Sequence, residues 1–452
     1  MSETAQIVIC GAGITGAAAA CFLSQKGVKD VLLIDERPPL SLTSDHSTEC
    51  YRNWWPDPAM TALMNRSIEL MERLAEKSGN AFHLNHRGYL YGTADESQVA
   101  RLISRSQSIS KHGGGELRIH GSIGSNDYFL PSSIDSDPAP GGADLLVGNE
   151  LVHKYHPFLS KDAVAALHVR RAGWLSAQQL GMHLLESARL RGTQFLPERV
   201  ASVEVQNGRV KAVQLDSGKT VYTPIFINAA WPFFKEVGKM LGLEIPVFTE
   251  YHMKAAIKDS LQVVPRNAPL LIWDDPQSLA WNEEERESLS EDPLTRWMTE
   301  ILPAGVHTRP EGGADSQTIL LLWEYRNRAM QPVWPPPRDD TFAEIALRGL
   351  AAMVPRFREY FTRIPQPQVD GGYYTRTREN RPLIGKTEVE GAYLIGAVSG
   401  FGIMSACAAG ELLANCILGS SLPDYARSFS PLRYRDPEYL ENWSELADDG
   451  QL

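Results

Sequence analysis

The chain has 452 residues, 43% of them hydrophobic and 22% charged, the make-up of a globular protein with more than one folding unit. A formal net charge of -11 argues against a general nucleic-acid or anionic-membrane surface, since each requires a basic face. Five cysteines, Cys10, Cys21, Cys50, Cys407 and Cys416, are odd in number and lack metal-finger spacing, which predicts reduced thiols in a cytoplasmic protein.

Residues 1–6 carry no basic region ahead of an apolar run, so no targeting segment is expected there. Residues 6–10 form a short apolar run, as a strand buried on both faces should. The turn Gly11-Ala12-Gly13-Ile14-Thr15-Gly16 follows, then a small apolar helix over 17–24 closed by Gly27, then a strand over 31–35. This is one βαβ unit. The Gly, Ser, Asp and Pro content of 121–143 predicts a surface loop. Strand-type alternation over 200–205 and 210–215, with Asn207-Gly208 between, predicts a hairpin. A turn at 216–219 and a strand over 220–230 extend it into a β-meander. Residues 282–300 read as a solvated helix, and 332–337 as a proline-rich linker. Residues 391–410 carry no charge for long enough to span a bilayer, but Gly396, Ser399, Gly400 and Gly402 divide them into a strand and a helix, so no membrane span is expected. Residues 436–452 read as an acidic tail.

The Gly-x-Gly-x-x-Gly turn lies between a predicted strand and a predicted helix, the context a dinucleotide site requires. Gly11 permits the tight turn, Gly13 lets the backbone approach a pyrophosphate, and Gly16 lets helix and strand pack closely. The helix start offers N–H groups and a positive partial charge to the anion. Asp35 closes the second strand 19 positions after Gly16 and is placed to bond ribose hydroxyls, with Glu36 as the neighbouring alternative. An acid here disfavours NADP, whereas NAD and FAD both remain open on this motif alone.

Near the other end stand Pro382-Leu383-Ile384-Gly385, then Ala392-Tyr393-Leu394-Ile395-Gly396, then Ser399-Gly400-Phe401-Gly402-Ile403-Met404 opening a helix. Together with residues 11–35 this resembles the FAD-dependent oxidoreductases of the D-amino acid oxidase family, in particular the sarcosine and glycine oxidase branch. Arg52 with the Ser/Thr-rich loop before it, Ile225 to Ala230, and Arg309-Pro310-Glu311-Gly312 are also similar to that family, while 241–305 matches poorly. The resemblance implies an α/β fold: a Rossmann-type FAD-binding domain (1–80, 147–240 and 365–435) with an inserted antiparallel-sheet substrate domain (81–146 and 241–364). It implies FAD contacts at Gly11, Gly13, Ile14, Thr15, Gly16, Asp35, Glu36 and Arg37, at His46, Ser47, Thr48 and Arg52, at Val200 and Ala229, and at Gly400, Phe401, Gly402, Ile403 and Met404. N–H groups at the last helix start would stabilise the negative charge of reduced flavin.

The activity implied is oxidation of an amine or amino acid at its C–N bond, with hydride passing to the flavin and O2 or another acceptor taking the electrons. A substrate carboxylate calls for an Arg fork. Arg52, Arg326, Arg376, Arg378 and Arg381 are the candidates, and Arg376 and Arg378 with Tyr374 occupy the stretch where the family contacts substrate. Ten tryptophans, some near the flavin-facing segments, favour a substrate larger or more apolar than glycine, and the expected substrate is a secondary amine or a bulky, apolar amino acid.

The chain departs from the family in three places. Trp231 stands where many members have Gly. No Cys occupies 370–375, where monomeric sarcosine oxidases attach flavin. The strand 319–323 lacks the lysine that sarcosine oxidases use toward oxygen, leaving Lys254 as the alternative and implying a poor oxidase or a dehydrogenase. Some relatives tether flavin through a histidine in the region of His46. His83/His86 and His153/His156 lack a convergent third ligand, so no metal is expected. A hydroxy-acid or polyol dehydrogenase and a non-catalytic FAD-binding assembly factor are the competing readings.

Overall fold

Apolar runs too short for helices become the strands of a six-stranded sheet in the order Leu383–Lys386, Ala392–Gly396, Phe226–Asn228, Ile7–Cys10, Val31–Ile34, Gln194–Leu196. All neighbours are parallel except the first pair. The structure, a computed structural model, describes residues 4–121, 128–130, 140–313, 315–326 and 328–441. Helix Ile14–Gln25 is buried on nearly every side, which explains its run of alanines. It lies between helices Ala177–Arg189 and Gly402–Ile417, and a Cβ on Gly410 would stand 2.9 Å from the Ala18 carbonyl oxygen. The opposite face of the sheet is covered by the meander Val200–Gln206, Arg209–Leu215, Thr220–Tyr222 and by helix Phe234–Met240.

The single strand expected over 220–230 is two. Pro224 has no N–H for a ladder, so the chain breaks there; Thr220–Tyr222 ends the meander and Phe226–Asn228 joins the parallel sheet.

The second sheet has nine strands, in the order Gln368–Arg376, Phe248–Lys258, Thr318–Leu322, Val306–Glu311, Leu270–Trp273, Tyr89–Thr93, Ala165–Val169, Ala143–Val147, Leu117–His120. Helix Phe342–Met353 covers one face, and the other packs against Cys50, Trp54, Ile109 and Trp174. Two differences from the expectation follow. The sheet is mixed, because Tyr89–Thr93 runs parallel to Leu270–Trp273 and Leu117–His120 to Ala143–Val147. Ala165–Val169 and Gln368–Arg376, placed by the sequence in the FAD-binding segments, are strands of this sheet.

Helix Glu283–Glu291 is solvated along its length and starts at a capping box made by Asn282 and Glu285. A separate 3-10 turn, Arg296–Thr299, buries Met298. Of the expected loop at 121–143, residues 122–127 and 131–139 lie outside the described residues, as do 442–452 of the expected tail. Among the described residues no helix is long and apolar enough to cross a membrane, and no group of three or more His, Cys, Asp or Glu is placed to hold a metal ion.

Candidate active site

The glycine turn has the geometry its residue types require. Gly11 sits at φ +110°, and a Cβ there would stand 2.5 Å from the Ala229 carbonyl oxygen. A Cβ on Gly16 would stand 1.9 Å from the Gly11 carbonyl oxygen, so the helix can approach the turn only without one. Gly13 differs: a Cβ would meet only Ser44 Oγ, at 3.5 Å. Packing within the chain does not demand glycine there, and its bare backbone lines a groove. Gly13 begins the helix with no side-chain cap, and the Ile14 N–H donates to Ser44 Oγ at 3.1 Å. The Ile14 side chain is buried in the core.

Asp35 ends the second strand with its carboxylate accepting from the Ala12 N–H at 2.8 Å and the Arg37 N–H at 3.0 Å. Glu36 and Arg37 pair at 2.6 Å on the groove's rim. The groove, of about 320 Å³, is also lined by Val200, Ala229 and Trp231. The Trp231 indole N–H donates to Thr15 Oγ1 at 3.2 Å, and its ring would stand 3.2 Å from a Cβ on Gly402. The residue that replaces the family's glycine therefore bridges the starts of the two helices marked by the glycine motifs.

A second cavity lies between residues 46–55, the turn Gly400-Phe401 with Met404, and the nine-stranded sheet. His46, Thr48, Arg52, Tyr89, His252, Lys254, His307, Glu324 and Tyr374 line it. Alternation along Phe248–Lys258 puts Glu250, His252 and Lys254 on one face, and the register sets Lys254 beside Leu322 and Asp370. The loop is held to the sheet from several sides. Lys254 Nζ donates to the Ser47 carbonyl at 2.9 Å, and His46 Nδ1 lies 3.3 Å from Asp370. Arg309, fully buried, donates to the Thr48 carbonyl from Nε at 3.2 Å and Nη2 at 2.9 Å.

His252 stacks on Tyr374 with ring centroids 3.8 Å apart. Burial opposes its charge, but Glu324 and Glu250 outweigh that and raise its pKa to about 9. Burial would raise Glu324, yet His252, His307 and Arg376 hold it below the usual carboxylate range. The hydrogen bond from His252 does the same for Glu250. Burial pushes the Tyr374 hydroxyl far up, so it stays protonated and can donate.

The arginine candidates separate on position. Arg52, 4% exposed, lines the cavity, donates from Nε to the Trp54 carbonyl at 3.2 Å and lies over the Trp55 ring at 4.6 Å. Arg376 is buried behind the cavity, 3.5 Å from Glu250. Arg378 lies beyond the strand's end at Arg376 and is exposed between the buried Thr377 and Glu379, which revises its reading as a substrate contact. Arg381 pairs with Asp57 at 2.5 Å, and Arg326 lies over the exterior Trp297 ring. Gly400, Phe401 and Met404 line the cavity, whereas Ile403 packs in the core and Gly402 lies against Trp231. His252, Glu250 and Glu324 were not singled out from the sequence. The signal present was Glu250-x-His252-x-Lys254, three ionisable side chains on one face of a strand.

The sequence profile of the FAD dependent oxidoreductase (DAO) family matches residues 6–416. The chain belongs to this family. The chain is 22% identical over 442 residues to the mitochondrial dimethylglycine dehydrogenase of Rattus norvegicus, covering 96% of this chain and 45% of that protein. The chain thus spans less than half the length of that relative. It is 22% identical over 284 residues to the monomeric sarcosine oxidase of Streptomyces avermitilis, 62% of this chain and 65% of that one. The L-proline dehydrogenase structure from P. horikoshii superposes with a TM-score of 0.72 at 19% identity, covering 96% of this chain and 99% of that one, a likeness of fold. The bare backbone at Gly13, the helix start it opens and the acid at Asp35 fit the dinucleotide part of FAD.

Proposed function

We propose that the chain oxidises an amine or amino acid, taking hydride from the carbon that bears the nitrogen and leaving an imine. FAD, when bound, supplies the hydride acceptor. Gly11, Gly13, Asp35, Ser44, Val200 and Ala229 would hold its adenosine and pyrophosphate, and Thr48, Gly400, Phe401 and Met404 its flavin end. The observation that carries the reading is the second cavity, where the flavin-type turn at 400–404 faces a sheet bearing ionisable groups of both signs. Arg52 orients a carboxylate, Tyr374 donates a hydrogen bond, and the apolar walls from Trp55, Tyr89 and Phe401 exclude water. The relatives' names specify dimethylglycine, a tertiary amine, and sarcosine and L-proline, secondary amines, which supports an N-alkylated amino acid as substrate. Five free cysteines, four of them buried, agree with a reducing compartment.

The test is an anaerobic screen of the flavin-loaded protein against primary and N-alkyl amino acids, amines and hydroxy acids, following bleaching of the visible flavin band. Bleaching by amines with release of ammonia or a primary amine is expected. Bleaching by hydroxy acids alone, or by nothing, refutes the proposal. Acid precipitation of the same protein is expected to release the flavin. Slow reoxidation of the reduced protein in air would mark it as a dehydrogenase. Fast reoxidation that Lys254→Met abolishes would mark it as an oxidase.

A further inference from the structure

The sheet side of the second cavity carries a row of alternating charge. Arg376 Nη1 stands 3.5 Å from Glu250 Oε2, Glu250 Oε2 stands 3.4 Å from His252 Nε2, and His252 Nδ1 stands 2.8 Å from Glu324 Oε1. The first three side chains are at most 14% exposed, whereas Glu324 is 32% exposed and lines the cavity. With His252 protonated, the two cations and two carboxylates of the row cancel, and the carboxylate at its end is the one that meets the cavity. The loop side presents the opposite sign. Arg52 lines it, while the charge of Lys254, which stands on the sheet side on the same strand face as Glu250 and His252, is partly offset by Asp370 at 3.7 Å. A carboxylate on the sheet side and a guanidinium on the loop side, both lining the cavity, are the complement of a zwitterion.

We propose that Glu324 binds the substrate's ammonium N–H, that Arg52 faces its carboxylate, and that His252 is the positioning residue that aims Glu324. The site then selects amino acids, N-alkylated or not, against amines that lack a carboxylate and against carboxylic acids that lack an amine. This rests on the reading of the cavity as an amine-oxidising site.

The experiment compares isosteric pairs on the oxidised, flavin-loaded protein under anaerobic conditions: alanine with propionate, phenylalanine with 3-phenylpropionate, proline with cyclopentanecarboxylate. Affinity is read from perturbation of the flavin band, or from the concentration dependence of bleaching where the amino acid reduces it. In at least one pair the wild type is expected to bind the amino acid roughly ten- to a hundredfold more tightly, the worth of one hydrogen bond to a charged group. Glu324→Gln brings that ratio near one without weakening the carboxylic acid, Glu324→Asp restores part of it, and His252→Gln lowers the ratio and not the carboxylic-acid affinity. A wild type with no such preference in any pair overturns the proposal without any variant. So does a Glu324→Gln variant that weakens both members of a pair equally, which is the mark of a merely structural role. If the preference and its loss hold while no amine reduces the flavin, recognition stands and the oxidation reading falls. If amines without a carboxylate reduce the flavin as well as amino acids do, the oxidation reading stands and this proposal falls.

Discussion

Replacing Arg309 with Met removes a fully buried cation and leaves its partners in place. The guanidinium donates twice to the Thr48 carbonyl and once to the Pro310 carbonyl at 3.0 Å, and it pairs with Glu311 at 2.5 Å and Glu49 at 3.4 Å. Stripping one side from a buried ion pair costs about 3–5 kcal/mol. Glu311 and Glu49 are 33% and 21% exposed, so water recovers part of their charge and the lower end, about 3–4 kcal/mol, applies. An unfolding entropy of about 2.1 cal/mol/K per residue, taken over all 452 residues, converts this into a fall in Tm of roughly 4 °C. The loss falls on residues 48–49, so flavin retention after gel filtration should drop with it. Arg309→Lys keeps the charge but not the fork, and should lie between wild type and Arg309→Met. A Met variant that melts within about 1 °C of wild type and keeps its flavin would show that Arg309 does not anchor the loop.

Gly16→Ala sets a methyl group 1.9 Å from the Gly11 carbonyl oxygen, a clash between backbone elements that costs about 1–3 kcal/mol or more. The variant should lose its flavin, read as the ratio of visible to ultraviolet absorbance, and a fully loaded variant would contradict the tight approach of helix and turn. Asp35→Ala removes the acceptor for the Ala12 and Arg37 N–H groups and should weaken FAD binding by roughly tenfold, about 1.4 kcal/mol. Quenching of FAD fluorescence by the apoprotein measures this, and equal dissociation constants would remove Asp35 from the site. The raised pKa of His252 links stability to pH. Its folded value of about 9 exceeds the ordinary 6.5, so the stabilisation is complete below pH 6.5 and disappears as pH rises through about 9. The Tm difference between wild type and His252→Gln should therefore shrink across that window, and a constant difference would deny the charge on His252.

The cofactor end of the molecule was legible because its determinants are contiguous. Gly11, Gly13 and Gly16 lie within one turn of chain, Asp35 one strand later, and Gly400 to Met404 in a single run. Each responds to a backbone requirement that leaves a residue type behind. The proposed substrate end was not legible, because His252 and Glu324 are 72 positions apart and meet only through the pairing of Phe248–Lys258 with Thr318–Leu322. Arg376 and Arg378 were equivalent in sequence and differ only in which side of the strand's end they fall. The split of 220–230 at Pro224 follows from proline's missing N–H, which outweighs the continuous apolar pattern of that stretch.

The two glycine-marked turns stand almost four hundred residues apart, and the sheet between them interleaves strands from three regions of the chain. A ribosome adding about 5–20 residues per second delivers Gly11 long before Gly402. Throughout that interval the first turn lacks the helix Gly402–Ile417 that packs on Ile14–Gln25. Flavin capture therefore waits for that last helix, and chains cut short before it should leave the ribosome colourless and dependent on chaperones.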